Sequence, residues 1–225
     1  MDTSPLLKHV VLGTILGSPL APSQADIMFG CGCFWGAEKG FWRLPGVVTT
    51  AVGYAGGQLE NPSYQQVCGG RTGHAEVVRV VWDTSKIHIS DLLKLFWECH
   101  DPTQGNRQGN DRGSQYRSAI YGGDPAMIAL AEASRDHYGE RLARAGFGPI
   151  TTEISASQTF YFAEPYHQQY LAKPGSRPYC SAQPTNVALG DFEGAHYLLP
   201  QSLWASYDWS VPHCVLRGDN TPISL

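Results

Sequence analysis

Cys33 lies in the stretch Phe29-Gly30-Cys31-Gly32-Cys33-Phe34-Trp35-Gly36, between the apolar run Ile27-Met28-Phe29 and the helix-like run Ala37-Glu38-Lys39-Gly40-Phe41-Trp42. At such a strand-to-helix junction the first helical N–H groups have no internal partner, and with the helix dipole they favour an anion. A thiolate is such an anion, and it is the reactive form of cysteine. Glycines at 30, 32 and 36 permit a tight turn and close approach to the backbone, and Phe34 and Trp35 can wall a pocket for a small apolar group. A cysteine in an apolar stretch is equally a buried small hydrophobe, so this stretch alone leaves both readings open. The second chemical candidate is Glu76, near the start of His74-Ala75-Glu76-Val77-Val78-Arg79-Val80-Val81-Trp82. It is either a solvent-facing strand end, the commoner case, or a carboxyl in a partly dry site.

Composition narrows the classes. A chain of 225 residues with 42% hydrophobic and 16% charged residues can bury one sizeable core. The net charge of -4, without clustered Lys and Arg, argues against nucleic acid as the main partner. No apolar run reaches membrane-spanning length. Six cysteines (31, 33, 68, 99, 180, 214) are too few for a disulfide-built scaffold and show no zinc spacing, so no metal or other cofactor is expected.

The elements that must position these residues follow in order. Residues 1–25 read as a poorly ordered N-terminal extension. A weak secretory signal is the minority reading, from Val10-Val11-Leu12 and Ser23-Gln24-Ala25. A cytoplasmic location and a monomer are expected. Leu44-Pro45-Gly46 stops the first helix, and Val47 to Tyr54 is a strand. Tyr64 to Cys68 is a short helical turn. The Val run after His74 predicts a strand buried on both faces. Ser90 is the expected cap of a helix that ends near His100-Asp101-Pro102. A long polar loop to Ser114 follows, of a length that is more often functional than not. Gln115 to Tyr121 predicts a strand, Asp124-Pro125 starts a helix to about Ala145, and Ile150 to Ile154 and Thr159 to Phe162 predict short strands. Glu164 to Leu171 predicts a helix, and the chain is irregular after Lys173-Pro174-Gly175. The β-α-β-β-α-β order predicts an α/β (α+β) fold: a two-layer α/β plait with a ferredoxin-like split βαβ core. The expected division is 1–25 extension, 26–175 catalytic domain, and 176–225 irregular C-terminal tail.

Six segments, in order over about residues 27 to 180, resemble the A-type peptide methionine sulfoxide reductases. They are Gly32-Cys33-Phe34-Trp35-Gly36; Ala51-Val52-Gly53-Tyr54-Ala55-Gly56-Gly57; Thr72-Gly73-His74-Ala75-Glu76-Val77-Val78; His100-Asp101-Pro102-Thr103-Gln104; Gly109-Asn110-Asp111-Arg112-Gly113-Ser114-Gln115-Tyr116-Arg117-Ser118; and Tyr166-His167-Gln168-Gln169-Tyr170-Leu171. One such motif is weak; six in order are specific. The resemblance implies Cys33 as nucleophile and Glu76 as the acid that protonates the sulfoxide oxygen. It implies Tyr64, Asp111 and Tyr116 as residues that hold that oxygen and the substrate, and Phe34 and Trp35 as the wall around the substrate methyl. Its substrates would be methionine S-sulfoxide, free or in oxidised proteins, since these enzymes act on one sulfoxide epimer each.

The chemistry needs these residue types. A sulfoxide sulfur is electrophilic only when its oxygen is made a better leaving group, which calls for a thiolate and a nearby acid. A Glu serves as that acid near neutral pH only if burial raises its pKa. The attack leaves a sulfenic acid on Cys33, which a second thiol condenses to a disulfide. Cys180, in Pro178-Tyr179-Cys180, matches the first recycling cysteine of many relatives, and a thioredoxin-like partner would reduce the disulfide. Its segment is expected to be mobile, and Cys214 further along is a toss-up between inert and redox-active. Two positions depart from the family: Cys31 replaces a small non-thiol residue and Cys99 an Asn. Cys31, Cys68 and Cys99 are expected to be structural. A non-enzymatic sensor of oxidised protein would not need Glu76, and a thiol peroxidase would not need the Phe34-Trp35 pocket.

Overall fold

The computed structural model describes residues 7–156, 158–205, 207 and 220–225. Its first unit is β1 (Gln24–Cys31), α1 (Phe34–Trp42) and β2 (Val47–Ala55), followed by the short α2 (Tyr64–Cys68). Then come β3 (Ala75–Asp83), α3 (Ile89–Cys99), the two-residue strands β4 (Arg107–Gln108) and β5 (Asp111–Arg112), and β6 (Ser118–Gly122). The long α4 (Pro125–Arg144), β7 (Glu153–Ala156), β8 (Tyr161–Phe162) and the single-turn α5 (Gln201–Trp204) complete the described chain.

Six strands form one sheet in the order β7-β6-β1-β3-β2-β8. β1 and β2 both run antiparallel to β3, which lies between them, and β6 closes the other side of β1. This is the split βαβ plait expected. Among the described residues only β7 is parallel to its neighbour, β6. Because side chains alternate across a strand, Ile27, Phe29, Val52, Tyr54, Val78, Val80, Trp82 and Ile120 enter the large core under the helices. Met28, Ala55, Val77, Ala119 and Tyr121 line a smaller cluster on the opposite face. Glu76, two residues before Val78, takes the helix-side parity.

Four local expectations change. The α3 cap is His88 rather than Ser90: its ring accepts from Ser90 N, while Asp91 accepts from His88 N, a reciprocal capping box. The long polar loop is not featureless, since β4 and β5 pair across it. The expected strand at Gln115 begins at Ser118, after one 3-10 turn over Ser114–Tyr116. Glu164 to Leu171 is no helix but a set of turns ending in a 3-10 turn, Tyr170–Ala172. Its backbone donors and side chains serve other elements.

The stretches before β1 and after β8 both pack on the core. His9 is fully buried and Leu16 nearly so, against the expectation of a loose extension, and β1 begins within that stretch at Gln24. After β8, Leu189, Phe192, Leu199, Leu203 and Trp204 are buried in the main core. This explains why α3 is buried almost all round. Its polar side chains Asp91 and Glu98 accept from Leu198 N, Leu199 N and Leu189 N of the tail instead of facing water. Cys214 lies outside the described residues. Among the described residues no helix is long and apolar enough to cross a membrane.

Candidate active site

The C-terminal ends of β1 and β2 and the start of β3 meet at one edge of the sheet, where Tyr54 stands opposite Glu76. β1 ends at Cys31 and turns through Gly32 at φ +88, a left-handed value that favours glycine. A Cβ there would also come within 2.6 Å of the Gln108 Cβ. The turn delivers Cys33 to the N-cap of α1.

Cys33 and Glu76 are linked through that helix start. The Phe34 N–H, one of the unpartnered donors of the first turn, donates to Glu76 Oε2 at 3.1 Å. Glu76 is buried, so it is the dry carboxyl rather than the solvent-facing strand end. Burial pushes its pKa up to about 8; the Phe34 N–H opposes this and the nearby Asp111 charge adds to it. Cys33 is half-buried. Its thiol is also pushed well above the ordinary range, by burial first and then by the charge of Glu76, with the Trp35 N–H pulling the other way. The helix start therefore does not by itself yield a resting thiolate: desolvation and the acidic neighbours outweigh it.

Three further side chains gather round this pair. The Tyr64 and Tyr116 phenols are held well above their ordinary pKa, mainly by burial and secondarily by neighbours that include Glu76, so both remain hydroxyl donors. Tyr64 also hydrogen-bonds Cys68, which is exposed rather than part of the core. α2, which carries Tyr64, is pinned by Glu164: its Oε1 accepts from Tyr64 N at 2.8 Å and its Oε2 from the Tyr54 hydroxyl at 3.0 Å. Asp111 accepts from the Tyr179 hydroxyl at 2.5 Å, and its Oδ2 is buried with no protein partner among the described residues.

Phe34 and Trp35, the expected aromatic wall, pack against partners the sequence did not single out. Phe34 is fully buried against Tyr54 and His167, and Trp35 is half-buried and stacked on Tyr170 at 3.8 Å. The Trp35 indole donates to His167 Nδ1 at 3.0 Å. His167 and Tyr170 belong to a quoted motif, yet nothing in their spacing says that they grip Trp35.

Cys180 is half-buried and lies within electrostatic reach of Cys33, whose pKa an ionised Cys180 would raise further. It is tethered by Tyr179 on Asp111 and by Gln183 N donating to Gln108 Oε1 at 3.0 Å. The expectation of a loose carrier thus becomes one of a thiol tied beside the site. Among the described residues no disulfide joins any pair of cysteines. Cys31 and Cys99 are buried next to His100, with their donor atoms within 4.8 Å of one another. His100 Nδ1 gives its proton to Phe96 O at 2.7 Å and Nε2 is paired with Ser118 Oγ, so the imidazole offers no lone pair to a metal. These two cysteines remain core residues.

A family model described as peptide methionine sulfoxide reductase matches residues 25–192, running past the expected boundary at 175. The chain is 58% identical over 183 residues to the peptide methionine sulfoxide reductase MsrA of Salinispora arenicola, covering 80% of this chain and 83% of the relative. Among solved structures, the methionine sulfoxide reductase A of Corynebacterium diphtheriae superposes with a TM-score of 0.72 at 48% identity, over 81% of this chain and 88% of that one. Mxr1 from Saccharomyces cerevisiae in reduced form gives 0.66 at 34% identity, over 74% and 94%.

Proposed function

The chain belongs to the A-type peptide methionine sulfoxide reductases, oxidoreductases that reduce methionine sulfoxide, and on that premise we propose how its residues do so. The substrate methyl lodges against Trp35 and Phe34. The sulfoxide oxygen points towards the Glu76 carboxyl and the Tyr64 and Tyr116 hydroxyls. A carboxyl with a pKa of about 8 is mostly protonated at neutral pH, which makes Glu76 a competent acid there. As the Cys33 sulfur attacks the substrate sulfur, Glu76 gives its proton to the oxygen and takes the proton the thiol releases. The sulfur–sulfur bond made in the attack then breaks as the protonated oxygen leaves the substrate sulfur for the Cys33 sulfur: thiol and sulfoxide become sulfenic acid and thioether, and Glu76, having given one proton and taken one, ends as it began. The two phenols stabilise the oxygen as charge builds on it. Asp111 has only acceptor oxygens to offer, so its part is to keep the proton on Glu76 by its charge and to receive a substrate N–H on Oδ2.

The Cys180 thiol then condenses with the Cys33 sulfenic acid, releasing water and forming a disulfide. A thioredoxin-like dithiol reduces that disulfide by exchange. Cys214 remains a candidate for carrying the disulfide outward. The proposal takes the substrate as methionine S-sulfoxide, free or in oxidised proteins, and the working unit as a cytoplasmic monomer.

The observation that carries this reading is the buried Glu76 tied to the first N–H after Cys33. The test is a rapid-quench single turnover on methionine S-sulfoxide. Cys33→Ser should form no methionine while remaining folded. Glu76→Gln should be slowed about a hundred- to ten-thousand-fold, the usual worth of general acid catalysis, and Glu76→Asp less. Parent-rate turnover in either Cys33→Ser or Glu76→Gln would overturn the assignment.

A further inference from the structure

Glu38 lies on α1, three residues after Trp35, and is fully buried, yet it has no part in the chemistry above. Its two oxygens take three donors. Gln169 N donates to Oε2 at 2.8 Å, Gln169 Nε2 to Oε1 at 2.6 Å, and the Thr50 hydroxyl to Oε1 at 3.0 Å. Thr50 is oriented in turn by His9. His9 Nδ1 accepts from Val11 N and Leu12 N, so Nε2 carries the proton and gives it to Thr50 Oγ1 at 2.9 Å. Val10 N reaches the other end of the Gln169 amide at 3.4 Å.

Gln169 has φ +46, a left-handed conformation that a non-glycine residue keeps only when its surroundings hold it. Its neighbours show what is gained. Gln168 accepts from Val52 N and donates to Val52 O and Ala163 O, each at 2.8 or 2.9 Å, docking the turn on β2. His167 takes the Trp35 indole N–H, and Tyr170 stacks on the same ring. In this tetrapeptide the two inner residues fasten the backbone and the two outer ones grip Trp35.

We propose that Glu38 is a positioning residue for the reductase reaction: through Gln169 it fixes the 167–170 turn whose His167 and Tyr170 hold Trp35 in place as the wall of the substrate pocket. The proposal rests on the reading of Trp35 as that wall. A helix residue thereby locks its own helix to the turn that clamps its own pocket aromatic. The described N-terminal stretch is part of the lock through His9.

The test is a double-mutant cycle on the full chain, with steady-state kinetics on methionine S-sulfoxide and dithiothreitol. Glu38→Ala should raise KM about tenfold and leave the saturating single-turnover rate within about threefold, since Cys33 and Glu76 are untouched. In a Trp35→Phe background the same substitution should change KM less than twofold, because its target is gone. Independently of substrate, the Trp35 fluorine resonance of 5-fluorotryptophan-labelled protein, identified by its loss in Trp35→Phe, should shift or broaden in Glu38→Ala. Should that variant fail to fold by circular dichroism, Glu38→Gln serves. It keeps the size and one acceptor but sets an amide N–H2 against a donor, and the same pattern is expected. An equal KM rise in both backgrounds, or an unmoved Trp35 resonance, overturns the proposal. Trp35→Phe with parental KM would instead overturn the reading of Trp35 as the substrate wall, while the fluorine signal still decides whether Glu38 positions it.

Discussion

Replacing Glu76 by Gln should make the protein more stable, and increasingly so as pH rises. Gln keeps the size of the side chain and an oxygen for the Phe34 N–H, which donates at 3.1 Å, but it carries no titrating proton. In the parent, burial raises the carboxyl from 4.5 to about 8. Between those two values the folded chain holds a proton that the unfolded chain has lost. Stability of the parent therefore falls as pH climbs through this window and levels off above it. Linkage puts the loss at about 3 kcal/mol by pH 7 and about 5 kcal/mol by pH 9, upper figures for a site that can admit water. Glu38, also buried and raised to about 7, titrates in the same window but is common to both proteins and cancels in the difference. The assay is urea unfolding followed by circular dichroism at pH 5, 7 and 9. With a slope of about 2 to 3 kcal/mol per molar, the gap between variant and parent midpoints should widen by about 1 M or more between pH 5 and 7. It should widen again by pH 9. A gap constant to within about 0.2 M across the range would mean that Glu76 ionises like an ordinary carboxyl. It would then be an anion at neutral pH and could not be the acid.

Other outcomes follow from the tail and the pocket. Cys180→Ser should release one equivalent of methionine without reductant and turn over with dithiothreitol, yet lose most activity with thioredoxin, whereas Cys214→Ser should lose less. Peptide mapping after one equivalent of substrate should give a Cys33–Cys180 bond, and a dominant Cys31–Cys33 or Cys33–Cys68 bond would remove the tail from the resolving role. Tyr179→Phe deletes the hydroxyl on Asp111 and should slow closure of the Cys33–Cys180 disulfide about tenfold, the worth of a hydrogen bond to a charged group. The first-turnover methionine yield should not change in that variant, and unchanged closure would show that the tether does not present Cys180. Chiral chromatography should show consumption of the S sulfoxide only, because methyl wall, oxygen site and thiol form a chiral triangle; equal loss of both epimers would contradict it.

The fold was legible because its core strands write burial into their composition. The Val run of β3, and the Pro-Gly and Asp-Pro punctuation around α1 and α4, mark elements whose ends match the expected ones closely. The region after Glu164 departs from its expected helix for a related reason. Gln168 and Gln169 are good helix formers, but here their side chains are spent on Val52, Ala163 and Glu38, a tertiary demand that no local propensity records. The packing of the C-terminal stretch is not legible in the sequence because single apolar residues such as Leu189, Phe192 and Leu199 follow no period. They fit an α3 surface whose polar residues, Asp91 and Glu98, look from sequence like a solvent face.

The site shows the same division between types and environments. Cys33, Glu76 and the two aromatics announce themselves by residue type beside glycines and a strand start. Their environments do not. Frequency favours an exposed Glu at a strand end, and only the parity that puts Glu76 on the helix side with Val78, under the first N–H of α1, makes it a dry carboxyl. The electrostatics then reverse the simplest expectation for the thiol. A helix start alone would lower the Cys33 pKa, but burial together with Glu76 and Asp111 raises it, so the resting pair is better described as thiol and carboxylic acid than as thiolate and acid. That pairing has a chemical consequence. In the reaction proposed for this site, keeping the Cys33 thiol protonated until a sulfoxide oxygen arrives to take the Glu76 proton would tie activation of the thiol to the presence of substrate. Glu76 can accept the thiol proton only after it has given its own away.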